Sequence, residues 1–249
     1  MNTNLNLYKP LGWTPLQVID AYKDLHPEYQ NIPMTYAGRL DPMAEGVLLV
    51  LVGDACKEKD DYLKLDKVYR AEIVFGLQTD TFDLLGIVAV RAERLKRIEN
   101  TDLSGVHRLP IPPYSSVPVN GKPLFQWARE GRLDEIKIPV RDMTVLSSDN
   151  VSQGEISSSD LLIAIRERIG LVNGDFRQDE ILSQWDTVLS SFDTFRLHTM
   201  TVDLHVISGT YIRALAHDFG GVLFSLKRLS VGDYHLKDSE ILSRDDTVT

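Results

Sequence analysis

The chain has 249 residues, with 43% hydrophobic and 25% charged side chains, the balance of a water-soluble globular protein able to bury a core without covalent staples. A single cysteine, Cys56, excludes an intramolecular disulfide framework and fits a reducing, cytoplasmic setting. The net charge of −9 argues against a general nucleic-acid coat. No apolar run approaches the roughly 18 residues of a membrane span, and the start, MNTNLNLYKPLG, has neither the basic nor the apolar region of a secretory signal.

In chain order, Thr14–Tyr22 reads as a helix, with Thr14 as cap, Pro15 at the first helical position, and Val18, Ile19 and Tyr22 on one face. Val47–Val52, six apolar residues between Gly46 and Gly53, reads as a buried strand. Val68–Phe75 alternates as a half-buried strand. A polar loop, TDTFDLLG, and a short strand, IVAV, follow. Four prolines in Pro110–Val119 exclude a regular helix, and the helical pattern returns over Leu124–Arg132. Ser147–Asp160 is polar and reads as a loop, with a helix starting behind Ser159 and Asp160. Arg196–Val206 alternates as a strand, and TYIRALAHDFGG is a short helix ended by two glycines. Strands and helices mingle without βαβ regularity, so the fold class is α+β.

Charge is unevenly spread. Asn173–Asp203 carries a net −4 and the last twelve residues −3, whereas Lys122–Arg141 carries +2. An acidic total thus leaves room for one locally basic, RNA-facing surface beside ordinary solvated faces.

Three residues have chemical potential. Asp41, in Gly38-Arg39-Leu40-Asp41-Pro42, is restricted by the proline after it; such a carboxylate can act as nucleophile or acid–base group, or simply cap a helix with proline at its first position. Tyr69 near the start of its strand is core or site. Arg213, two residues after Tyr211, is a surface side chain or the partner of a buried carboxylate. The six histidines form no metal motif: His198 and His205, an odd number apart, face opposite ways, and His217, four residues after Arg213, makes a poor catalytic pair with another cation. No GxGxxG before a helix, P-loop or GxSxG is present.

Four segments in series resemble the TruB family of tRNA pseudouridine synthases. They are YKPLGWTPLQVI (Tyr8–Ile19), YAGRLDPMAEGVLLVLVGDACK (Tyr36–Lys57), KVYRAEIVFGLQTDTFDLLGIV (Lys67–Val88) and SGTYIRALAHDFG (Ser208–Gly220). PPYSSVPVNGKPLFQWAREG (Pro112–Gly131) is a weaker fifth. The resemblance implies one catalytic domain over 1–249, α+β, with a central, largely antiparallel mixed sheet and the active site in a cleft across it. It implies isomerisation of uridine 55 in the T-loop of tRNA to pseudouridine, without metal or cofactor, by a monomer that binds the T-loop and T-stem and neither DNA nor membrane. Asp41 falls on the family's catalytic aspartate, Tyr69 on its active-site tyrosine and Arg213 on the arginine that pairs with the aspartate. Leu226, in LFSLKRL, matches a leucine beside the target base, and Tyr36, Arg39 and Lys67 are the further expected substrate contacts. Attack on C1′ by the aspartate and removal of the C2′ proton both remain open.

The chain departs from the family at several positions. Tyr36 and Ala37 replace a histidine and a threonine, so that Tyr36 is expected to stack near the target base in the histidine's stead. Ser115-Ser116-Val117-Pro118 lacks the lysine of the family's SALK, and the stretch between Gly220 and Leu226 is short. Only a short tail follows Leu236, so the RNA-binding PUA domain common in the family is expected to be absent. These differences suggest weaker or differently aimed RNA binding.

Overall fold

The computed structural model describes residues 3–91, 102–190 and 196–242. Its centre is a nine-stranded sheet. The strands are β1 (Thr3–Lys9), β2 (Met34–Tyr36), β3 (Ala44–Val52), β4 (Lys67–Phe75), a hairpin of β5 (Leu77–Thr79) and β6 (Val88–Arg91), then β7 (Gly105–Pro110). A second small hairpin, β8 (Pro118–Val119) and β9 (Lys122–Pro123), precedes β10 (Val140–Ser157), β11 (Arg196–Val206), β12 (Gly221–Val231) and β13 (Tyr234–His235). The main sheet runs β1-β3-β12-β4-β11-β10-β7, with β2 on β3 and β13 on β12. Every pairing is antiparallel except β3 with β12, where Leu226, Lys227 and Arg228 lie beside Ala44, Glu45 and Gly46. This is the expected largely antiparallel mixed sheet.

The helices are α1 (Pro15–Leu25), α2 (Lys59–Leu63), α3 (Leu124–Arg129), α4 (Ser158–Gly170), α5 (Gln178–Ser190) and α6 (Ile212–Asp218). α1 starts as its sequence dictates: Pro15 opens it, and Thr14 and Gln17 exchange side-chain and backbone hydrogen bonds in a capping box. Val18, Ile19 and Tyr22 are buried against β1 and β3. α4 buries Leu161, Ile165 and Ile169, and α5 buries Ile181, Trp185 and Leu189, each at every fourth residue. Those stripes meet each other and Val74, Leu84 and Val222 in one core. The opposite face of the sheet, with Tyr69, Ala71 and Ile73 of β4 and Met200, Val202, Leu204 and Val206 of β11, packs against α6.

Three expectations need correction. Ser147–Asp160 is strand as far as Ser157: Ser147 pairs with His205 and Ser157 with Arg196. Its residues are mostly exposed, so the backbone ladder to β11, which composition does not report, holds it extended. The cap of α4 is accordingly Ser157, whose Oγ accepts from Asp160 N at 3.1 Å. The basic surface expected over Lys122–Arg141 keeps its net +2 but is narrower than its five cations: Lys122 and Arg132 both reach Glu130 (2.6 and 3.1 Å), Arg132 also reaches Glu135 (2.7 Å), and both stand over Trp127, while Arg129 lines the cleft described below. His198 and His205 lie apart, His198 Nδ1 3.9 Å from a Glu155 oxygen and His205 Nε2 3.7 Å from an Asp66 oxygen. Among the described residues no helix is long and apolar enough to cross a membrane.

Candidate active site

A cleft of about 740 Å³ opens on the α6 face of the sheet. Asp41 enters it from a turn. Ala44 N donates to Asp41 O at 3.0 Å across Pro42 and Met43, and the chain passes directly into β3. Asp-Pro is therefore the head of a β-turn, with proline at the position that suits its fixed φ, and not a helix cap. Upstream, Gly38 sits at φ 90°, where a side chain would be strained. Its carbonyl accepts from Arg228 Nη2 at 3.1 Å, while Arg228 Nε donates to Val47 O at 2.7 Å. Arg228 is almost wholly buried, so β12 ties both ends of the Asp41 turn through one guanidinium.

Arg213 comes from the first turn of α6. Its guanidinium is 5% exposed, and each of its nitrogens is used. Nε donates to Asp41 Oδ2 at 2.8 Å, Nη1 to Thr81 O at 2.7 Å, and Nη2 to Tyr114 O at 3.2 Å. An isolated charge at this depth would cost several kcal/mol; the carboxylate and two carbonyls offset that. Burial opposes the positive charge, but Asp41 and Asp83 together hold its pKa above the ordinary arginine value. Asp83, 3.8 Å from Arg213 Nε, accepts from Thr81 Oγ1 (2.7 Å) and Leu85 N (3.0 Å). Burial pushes its carboxyl up to about 6, against the pull of Arg213. Asp41 is more open, at 36% side-chain exposure, and faces the cleft with the part that Arg213 does not cover.

Tyr69 and Leu226 are each 8% exposed, packed in the core beneath the cleft and lining its wall. Core and site thus coincide at Tyr69. Lys67 lines the cleft too, with Nζ donating to the carbonyls of Leu63 and Leu65; burial lowers its pKa to about 8. Arg39 reaches Ser116 Oγ at 2.7 Å. Tyr36 does not join them. It lies on β2, packed beside Leu7 and Val18, with Lys59 Nζ 5.2 Å from its ring, so the expected stacking near a target base has no basis in its position. His217 does not pair with Arg213; its ring stacks on Phe82 at 3.8 Å, and burial holds its pKa below the ordinary value.

The lining includes Arg39, Lys67, Arg129, Arg177, Arg213 and Arg228 against Asp41, Asp83 and Asp175. An acidic chain thus presents a locally cationic cleft, which concentrates an anionic polymer where it is needed. Among the described residues no three His, Cys, Asp or Glu side chains converge to hold a metal ion. Sequence reasoning passed over Asp83 and Arg228 as site residues. Asp83 stands in TDTFDLLG and Arg228 two residues after Leu226, but neither pattern says that the side chain is buried against a partner far along the chain.

Comparison with known proteins agrees with this geometry. Residues 29–167 match the TruB family pseudouridylate synthase (N terminal domain). A tRNA pseudouridine synthase B of Clostridium kluyveri is 29% identical over 250 residues, covering 96% of this chain and 70% of that protein. The protein of the same name from a Nostoc species is 31% identical over 251 residues, with the same coverage. Among solved structures, a chain of a Cbf5-Nop10-Gar1 complex superposes with a TM-score of 0.56 at 18% identity, over 96% of this chain and 52% of that one. A chain of an H/ACA RNP bound to a substrate RNA containing 2'-deoxyuridine gives 0.54 at 16%, over 96% and 50%. The chain spans about half the length of those structural neighbours, which share its fold. The match over more than half of the sequence, the 31% identical relative and the shared fold together place this chain in the TruB family of pseudouridylate synthases.

Proposed function

We propose that the protein is a tRNA pseudouridine synthase that isomerises uridine 55 in the T-loop, acting as a monomer. The observation that carries this reading is the meeting of a partly open Asp41 carboxylate with a buried, fully hydrogen-bonded Arg213 at the floor of a cationic cleft that Tyr69 also lines. A uridine in a folded loop must leave its stack before its glycosidic bond can be reached, at a cost of a few kcal/mol. The face of Tyr69 and the apolar wall at Leu226 offset that cost, base–aromatic stacking being worth about 1–3 kcal/mol.

Arg213 fixes the direction of the Asp41 carboxylate through its 2.8 Å hydrogen bond. The carboxylate either attacks C1′ or removes the C2′ proton, and the N1–C1′ bond breaks with its electrons going to the uracil. The freed base turns within the cleft, and C5 bonds to C1′, displacing the Asp41 carboxylate in the first route, or with Asp41 returning the proton to C2′ in the second. The proton on C5 then leaves to a base and N1 gains one, so that substrate and product have the same composition. Tyr69, which lines the cleft, is the group assigned to the C5 proton. Arg39, Lys67 and Arg129 supply positive charge for the phosphates that flank the extruded nucleotide.

The deciding experiment incubates the purified protein with unmodified tRNA transcripts and maps pseudouridine nucleotide by nucleotide. Formation at position 55 is expected. Pseudouridine at another position would keep the chemistry and replace the substrate; its absence from every transcript would overturn the reading.

A further inference from the structure

The α4–α5 hairpin packs its helices into the core that also holds Met43 of the Asp41 turn, and the connection between them reaches the cleft. All of α5 and residues 171–177 lie beyond the stretch matched by the family and outside the five resembling segments. The connection is built to stay in place. Gln178 closes it on itself, accepting from Phe176 N (2.8 Å) and donating to Gly174 O (2.6 Å). Asn173 N donates to Gly12 O at 3.1 Å. Gly12 sits at φ 86°, and a Cβ there would lie 1.9 Å from Leu171 O, so the two segments touch backbone to backbone.

At the end of this connection Arg177 adopts φ 64°, a left-handed conformation that is strained for a non-glycine residue and persists only where its surroundings impose it. That turn sends its guanidinium to two places. Nη2 meets Asp80 Oδ2 at 3.2 Å, and the guanidinium carbon lies 5.0 Å from the centre of the Tyr114 ring. One helix away, the buried Trp185 indole donates to Leu84 O at 3.1 Å. The hairpin therefore grips the TDTFDLLG loop at Asp80 and again at Leu84. Between those grips lie Thr81, whose carbonyl receives Arg213 Nη1, and Asp83; Tyr114 supplies the carbonyl for Nη2.

Resting on the function proposed above, we propose that Arg177 is a positioning residue for the isomerisation: it holds the two backbone carbonyls that orient Arg213, and through Arg213 it sets Asp41. With its guanidinium engaged by Asp80 and the Tyr114 ring, Arg177 acts through Arg213 and not on the reacting atoms. Its removal therefore slows the chemical step and spares tRNA affinity.

Arg177→Gly separates this from a structural role, because glycine is at ease at φ 64° and relieves the backbone while deleting the guanidinium. The single-turnover rate of pseudouridine formation, the tRNA Kd with its salt slope, and the thermal midpoint would be measured for wild type, Arg177→Gly, Arg177→Lys and Trp185→Phe. For Arg177→Gly we expect a rate at least about 10-fold lower, Kd within about twofold, an unchanged salt slope and a midpoint no lower than wild type. Arg177→Lys, which keeps a cation for Asp80, recovers part of the rate, and Trp185→Phe slows the same step by a few-fold. A wild-type rate in Arg177→Gly overturns the proposal. A loss confined to Kd with a shallower salt slope overturns it by making Arg177 a phosphate contact. A midpoint falling in step with the rate overturns it as mere structural damage. If wild type forms no pseudouridine, the functional reading itself has failed; unaffected variants beside an active wild type fail only this inference.

Discussion

Asp41 and Arg213 are 172 residues apart in the chain and 2.8 Å apart in the fold. The two ends of this contact are unequal: the arginine is 5% exposed and held on three sides, while the carboxylate is 36% exposed and anchored on one. The rigid partner is the cation, and the group free to react is the anion. This asymmetry suits a carboxylate that must keep its direction and still meet a substrate.

Asp41→Asn should abolish isomerisation while leaving tRNA affinity within a few-fold. Amide and carboxylate share a shape, and only the carboxylate can attack C1′ or take a proton. Rates and Kd measured on the same preparation check this, and turnover near the wild-type value would remove Asp41 from the chemistry.

Arg213→Lys keeps the charge and loses the fork. One ammonium cannot serve Asp41, Thr81 O and Tyr114 O in the planar arrangement the site provides. The single-turnover rate should fall about 10-fold or more, equivalent to roughly 1.4 kcal/mol of one aligned interaction. An unchanged rate would mean that charge alone suffices.

Tyr69 offers a way to separate stacking from proton transfer. Tyr69→Phe preserves the ring face, and Tyr69→Leu removes it. We expect the phenylalanine variant to bind tRNA yet fail to release tritium from C5 of the target uridine, and the leucine variant to bind less well besides. Tritium release by Tyr69→Phe at the wild-type rate would exclude an essential hydroxyl, and full activity in Tyr69→Leu would leave Tyr69 a core residue only.

Asp83 makes stability depend on pH in an unusual direction for a carboxylate. Its folded pKa, pushed up to about 6, lies above the ordinary 3.8, so the folded state keeps a proton that the unfolded chain has released. Its contribution is complete below the unfolded value and is lost as pH rises through the folded one. Wild type should therefore lose up to about 3 kcal/mol relative to Asp83→Asn between pH 4 and pH 7. Urea unfolding of both proteins across that range tests this; a constant difference would mean that Arg213 already ionises Asp83 fully.

Local physical chemistry was legible from the residues alone. Thr14-Pro15-x-Gln17 is a helix start wherever it occurs, six apolar residues between glycines over Val47–Val52 have to be buried, and alternation in Arg196–Val206 makes a two-faced strand. The serial motifs brought Asp41, Tyr69 and Arg213 forward by resemblance, and the fold brings all three to one cleft.

What only the tertiary structure decided is anything that depends on a partner distant in sequence. Asp-Pro reads on spacing alone as a helix cap, and the strand that follows it makes it a turn. The polar run before Ser157 becomes a strand because β11 offers it a ladder, and Lys122 and Arg132 turn inward because Trp127 and Glu130 gather them. Tyr36 falls outside the cleft because β2 pairs with the last residues of β3, Val50–Val52, at the end away from the Asp41 turn, and Asp83 enters it because Arg213 arrives from the other end of the chain. Backbone propensity acts over a few residues, whereas burial, desolvation and charge pairing act across the closed fold; a sequence displays the first and leaves the second to be found in space.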